Sequence, residues 1–370
     1  MVYLDYSATT PVNKEVLDTF NKITEDFFGN ANSIHKLGIK SKKLIDEATI
    51  QIAELLKVKK EEIIYTSGAS ESNNQVIKGL ADLTNKKHII TTELEHSSIY
   101  APLSYLGKKG YNISFVKIKK DGSVDKEDLK RLLNDDTFLV TISSVNSETG
   151  VIQNINELAD IIHNNSKALF HVDATQSIGK VKTDLSKVDL VSFSAHKFFG
   201  IKGIGCLIKK ENVRIEPLIH GGKSTTIYRS GTPSPALIGS MSKALRIALV
   251  DIEAKNKKVL EHSQYLINHL IKYKNVRINS INNIPHILNF SVLGVKPETL
   301  EHSLEEYDIY ISTQSACATG EVSKAVLAIT EDSSRATSSV RVSISYVTTK
   351  EELDYFLESF DKCYKKLMLK

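Results

Sequence analysis

Cysteine is scarce in this chain, with three in 370 residues. Three thiols cannot build a disulfide framework, and the count points to a reducing, cytoplasmic setting. Long apolar runs are missing as well. None approaches 18 residues, so no membrane-spanning helix is expected. The opening Met1–Tyr6 has neither a basic flank nor an apolar stretch, and does not read as a signal peptide. An excess of either charge is nearly absent: 48 Lys and Arg against 44 Asp and Glu leave +4. So small an excess gives little reason to expect direct contact with nucleic acid or a membrane surface. The 18 glycines nowhere form GxGxxG, which argues against a dinucleotide site. There are no internal repeats and no low-complexity segments, and no metal-ligand cluster is apparent.

What is present is ordinary for a globular protein: 41% hydrophobic and 25% charged residues. The length exceeds one compact core, so two domains are expected. A large domain over 14–250 and a smaller α+β unit from 1–13 with 251–370 fit the pattern. Residues 3–11 read as an extended arm, and Asn13 or Thr10 can cap a helix toward Phe28. Leu44, Ile45, Ala48, Ile52, Leu55 and Leu56 follow helical spacing. From Ile63 strands and helices alternate, with strands at 63–66, 88–91, 112–118 and 137–143. This is the α/β pattern with a mostly parallel sheet. A helical stretch over 235–274 contains a break near residue 250, and strands at 287–292, 309–313 and 340–345 follow.

Chemistry concentrates where apolar strands end. Asp189-Leu190-Val191 runs into Ser192-Phe193-Ser194-Ala195-His196-Lys197, a loop of hydroxyls, an imidazole and a lysine. A lysine at a strand's carboxyl end lies where α/β folds place ligands, and partial desolvation suits an amine to Schiff-base chemistry. Upstream, Ala168–Val172 ends in Asp173. A carboxylate and a lysine at neighbouring strand ends match the needs of pyridoxal phosphate, with Asp on the ring nitrogen and Lys on the aldehyde. The turn Ser67-Gly68-Ala69-Ser70 at a helix start offers N–H groups to an anion. Of the cysteines, Cys206 and Cys363 sit in apolar patterns and read as core. Cys317, within Ser315-Ala316-Cys317-Ala318-Thr319-Gly320, is in a small, polar loop where a thiolate can react. Arg341 has the fork that binds a carboxylate bidentately.

These stretches, HVDATQS, SFSAHKFFGIKGIG, RSGT and QSACA, in this order and with YLDYSATTP and VRVSIS at the two ends, resemble the cysteine desulfurases. That family is a branch of the class V, fold-type I pyridoxal phosphate enzymes. The resemblance implies a seven-stranded sheet flanked by helices in the large domain and a small α+β domain carrying the cysteine loop. It implies pyridoxal 5'-phosphate as cofactor, L-cysteine as substrate, and L-alanine plus a persulfide on Cys317 as products. Ala69, Ser70, Ser194 and His196 would surround the cofactor phosphate, with Thr232 reaching it from the second subunit of a homodimer. His96 would stack on the ring and move protons, and Gln176 would donate to the ring's phenolic oxygen. Asn146 would lie near that oxygen and, with Arg341, near the substrate carboxylate. A protein acceptor would take the sulfur for iron–sulfur cluster assembly or for thiolation of tRNA or a cofactor. Selenocysteine lyase, or a class V aminotransferase or lyase without sulfur relay, are the alternatives. The chain departs from the family pattern at Gly221-Gly222-Lys223-Ser224-Thr225 and at Gly200-Ile201-Lys202-Gly203.

Overall fold

The computed structural model describes residues 1–313 and 322–368. In chain order its elements are β1 (Val2–Tyr3), α1 (Lys14–Asp26), α2 (Lys36–Leu56), β2 (Ile63–Thr66), α3 (Ala69–Ala81), β3 (His88–Thr91), α4 (Ser97–Gly107) and β4 (Asn112–Phe115). There follow α5 (Lys126–Leu132), β5 (Thr137–Ser143), α6 (Ile155–Asn165), β6 (Leu169–Asp173), β7 (Leu190–Ser194), β8 (Gly205–Lys209) and α7 (Pro235–Leu249). The remainder comprises α8 (Ile252–Leu270), β9 (Val276–Ile278), β10 (Ile287–Val292), α9 (Pro297–Glu305), β11 (Ile309–Tyr310), α10 (Lys324–Thr330), α11 (Ser333–Ala336), β12 (Ser339–Ser343) and α12 (Lys350–Met368).

Seven strands form one sheet in the order β2-β8-β7-β6-β5-β3-β4. All neighbours run parallel except β8, which is antiparallel to both β2 and β7. The sheet is buried on both faces, as helix-covered sheets are. Alternate residues divide between the faces: Val140, Phe170, Val172, Val191 and Phe193 pack beneath α2, α6 and α7. Leu139, Leu190 and Leu207 face α3 and α4 instead. This alternation is the two-residue period of a strand at work.

A second apolar core gathers around the antiparallel sheet β12-β10-β9. Phe290, Val340, Val342, Phe356 and Phe360 lie there, and Val2 and Leu4 of the N-terminal arm join them. The helical stretch over 235–274 divides near residue 250 into two helices. α7 stops at Leu249, and Asp251 takes a left-handed φ of 53° before α8 begins. Lys255 reaches back to the Ile247 carbonyl at 2.5 Å, covering an otherwise orphaned helix end. Two strands are shorter than their patterns suggested, at 112–115 and 309–310. No helix among the described residues is long and apolar enough to cross a membrane.

Candidate active site

Strand ends build the site. A cleft of about 220 Å³ opens beyond the carboxyl ends of β5, β6 and β7, lined by Ala69, Ser70, His96, Asp173, Gln176, Ser194, His196, Lys197 and Arg341, among others. Lys197 lies on a single 3-10 turn, Ala195–Lys197, that continues β7. Its Nζ donates to the carbonyls of Ser7 at 2.7 Å and Ala8 at 2.8 Å. The arm that supplies those carbonyls is tied to the same turn. Thr10 N and Oγ1 both donate to His196 O, and Phe199 N donates to Thr10 Oγ1 at 2.8 Å. Phe199 itself has a φ of +64°, uncommon for an aromatic residue. Its ring is wedged between Tyr6 and Tyr346, which compensates that strain with packing.

Asp173, the last residue of β6, is buried. It accepts from Thr175 N at 3.0 Å and from Asn73 Nδ2 at 2.8 Å. The same amide nitrogen donates to Ser98 Oγ at 2.8 Å, and Ser98 Oγ lies 2.9 Å from His96 Nδ1. His96 caps α4, accepting from Ser98 N through Nδ1. A main-chain N–H pointed at Nδ1 makes that nitrogen the acceptor, so in the neutral ring Nε2 carries the proton. Burial holds the His96 pKa below the ordinary histidine value. Lys197 pushes it the same way and Asp173 opposes. Asn73 therefore links carboxylate and imidazole, a connection that sequence reasoning missed. It is one turn into α3, and no local pattern announces that its amide points at β6.

The Ser67–Ser70 turn leads into α3. α3 begins at Ala69 with Gly68 as a cap that supplies no side-chain acceptor, so first-turn N–H groups remain for another anion. Ala69 N donates to Ser194 Oγ at 2.7 Å. Close approach is needed here: a Cβ on Gly205 would come within 2.5 Å of Gly68 Cα. His196, hydrogen-bonded to Thr9 Oγ1, has its pKa lowered to about 4 by burial, then by Lys197, Lys202 and Lys180. Glu71 at this helix start pairs with Arg229 at 3.0 Å.

Arg341 comes from the second sheet and is almost wholly buried. Its Nη2 binds Asp5 Oδ1 at 2.7 Å and its Nη1 donates to Ser147 O at 3.0 Å, while Nε has no partner among the described residues. Asp5 was another residue that sequence reasoning left unassigned. Gln176 donates to Ser7 O at 2.9 Å.

Three expected residues stand apart. The Asn146 amide is taken up by its own turn, donating to Leu94 O and accepting from Glu148 N, Thr149 N and Thr149 Oγ1. It does not line the Lys197 cleft; it lines the adjoining one, where Glu93, Tyr100 and Lys324 also lie. Thr232 is exposed on the loop before α7 and outside the cleft of its own chain. Cys317 lies outside the described residues. The other two cysteines, Cys206 and Cys363, are buried, and burial raises both thiol pKa values.

Comparison with known proteins places the chain. It matches the model for aminotransferase class-V over residues 2–356. A NifS/IcsS protein homolog of Lactobacillus delbrueckii subsp. bulgaricus is 40% identical, over 98% of this chain and 97% of the relative. The cysteine desulfurase IscS of Dictyoglomus turgidum is 38% identical, over 99% and 95%. A solved NifS-like protein superimposes with a TM-score of 0.93 at 34% identity, covering both chains in full. With the fold, the cleft and these relatives in agreement, the chain belongs to the class V aminotransferase family, in its NifS/IscS-like cysteine desulfurase branch.

Proposed function

We propose that this chain is a pyridoxal phosphate-dependent cysteine desulfurase. It takes sulfur from L-cysteine, leaves L-alanine, and passes the sulfur from Cys317 to a protein acceptor in cluster assembly or thiolation. The observation that carries the reading is the convergence of Lys197, Asp173, His96 and Arg341 on one cleft. The residues fit the cofactor. A helix start without a side-chain cap, flanked by Ser70, Ser194 and His196, suits a phosphate. A buried carboxylate on β6 suits a protonated ring nitrogen, and an amine suits the aldehyde. Bound there, pyridoxal phosphate would supply an electron sink for the substrate's α-carbon.

Lys197 would hold the cofactor and, released by substrate, move the α-proton. Asp173 would keep the ring nitrogen protonated. His96, presenting Nε2 to the cleft, would exchange a proton beside the ring. Arg341 would grip the substrate carboxylate, using its unpartnered Nε–H with an Nη group. The Cys317 thiolate would attack the substrate sulfur. An S–S bond then forms as the C–S bond breaks, and the electron pair stays with the three-carbon product until protons complete alanine. Thr232, exposed in one chain, suits a homodimer in which it reaches the partner's phosphate site.

The test uses the purified protein loaded with pyridoxal phosphate and ³⁵S-cysteine. Yellow colour, alanine release and label on Cys317 are expected. Cys317→Ser is expected to change colour with cysteine yet release neither alanine nor sulfide. Full turnover by that variant would overturn sulfur relay, and a protein that never takes up colour would overturn the cofactor reading.

A further inference from the structure

A second lysine lies beneath the first. Lys180 follows Gly179, whose φ of +77° and nearness to Phe198 exclude a side chain. Lys180 is buried, its N–H fixed on Ser177 O at 3.0 Å, and its Nζ donates to Gln176 Oε1. The charges that bear on it are Lys197 and Arg341, both cationic. His286, from the segment before β10, shares a small cavity with it under the Lys197 turn. Among the described residues this lysine has no acidic partner. Its hydrogen bond goes to a neutral amide.

That amide is the consequential one. A primary amide can turn either its oxygen or its NH₂ group toward a ligand. Oε1 carries no hydrogen, so whatever the charge on Lys180, the lysine is the donor between them. The oxygen is thereby held inward, and Nε2 is left to donate to Ser7 O at 2.9 Å, on the side where both residues line the cleft. We propose that Lys180 is a positioning residue: it fixes the Gln176 amide with its NH₂ face toward the cleft, making Gln176 a donor to the anionic ring oxygen of the cofactor. This inference rests on the pyridoxal phosphate reading above. A donor on that oxygen withdraws negative charge from beside the Lys197 nitrogen, so losing it should raise the pKa of the imine joining Lys197 to the cofactor. His96, Asp173, His196 and Arg341 line the same cleft as Lys197, and they stay in place in the variants used.

The experiment titrates the visible absorbance of cofactor-loaded wild type, Lys180→Met, Gln176→Ala and the double variant against pH. Each single variant is expected to raise the imine pKa by about one unit, roughly tenfold in proton affinity. The double variant is expected to match Gln176→Ala alone, because a residue acting through another gives a non-additive pair. Lys180→Arg, which keeps a donor and tests the point if Lys180→Met fails to fold, is expected to titrate as wild type. The inference is overturned if Lys180→Met titrates as wild type, if its shift adds in full to that of Gln176→Ala, or if Lys180→Arg shifts as far as Gln176→Ala. A wild type that stays colourless ends the cofactor reading instead, so the two failures are distinct.

Discussion

The two walls of the cleft are built on different terms. One wall is strand ends and helix starts of a single sheet: Asp173, Asn73, Ser98 and His96, joined by hydrogen bonds of 2.8–2.9 Å. The atoms left over there are neutral, Asn73 Oδ1 and Thr175 Oγ1. The other wall joins Arg341 of the second sheet to Asp5 of the arm, and its leftover atom is a guanidinium nitrogen. An unmet donor on a charged group is costlier to bury than an unmet hydroxyl. Among the described residues the second wall therefore carries the costlier unmet group.

The contrast can be broken first at Arg341. Arg341→Met leaves the Asp5 carboxylate without its cation, and removing one member of such a pair costs about 3–5 kcal/mol. Urea melts should show that loss, with a higher KM for cysteine in whatever protein folds. The opposite wall can be sharpened through Glu95. This carboxyl is buried against Thr92 and Ser143, and burial, with Asp173 adding, raises its pKa to about 7. Its folded pKa exceeds the unfolded value, so the protonated form favours the fold. Stability should be fullest below about pH 4.5 and decline as pH rises through about 7, by on the order of 3 kcal/mol. Glu95→Gln should flatten that slope in melts across pH 5–8; an unchanged slope would assign it to other groups.

Smaller effects separate linkage from packing. Asn73→Ala cuts the bridge between Asp173 and His96 and removes a hydrogen bond to a charged group, about 1.5–3 kcal/mol. A fall in kcat of about tenfold or more is expected with little change in KM, since the Arg341 wall is untouched. An equal rise in KM would show that the walls are not separate. Cys206→Ser, in the sheet core between Tyr65 and Phe193, buries a hydroxyl at about 1–3 kcal/mol. It should leave the rate per folded molecule unchanged.

Much of the first wall was legible in the sequence, because it is local. Apolar runs ending in polar loops mark strand ends: Asp173 directly follows Ala168–Val172, and Lys197 closes the polar loop after Asp189–Val191. The anion turn announces itself as Gly68 before a helix. Much of the second wall was not legible. Arg341 was singled out for its fork, but its partner Asp5 lies 336 positions away, and no spacing rule spans that. Asn146 is the converse case: its place in the family pattern says nothing of the hydrogen bonds its side chain makes with Leu94, Glu148 and Thr149. The orientation of β8 was equally hidden, since an apolar strand reads alike in either direction.

The arm over residues 5–10 has a consequence for biosynthesis. Its carbonyls meet Lys197, some 190 positions later, and its carboxylate meets Arg341. A ribosome adds about 5–20 residues per second, so tens of seconds separate the synthesis of Asp5 from that of its partner. Throughout that interval the arm has no Arg341 to bind, while the sheet wall can already assemble. The nascent protein would assemble its sheet wall before its arm wall, and the cleft would be complete only when nearly all the chain had been made.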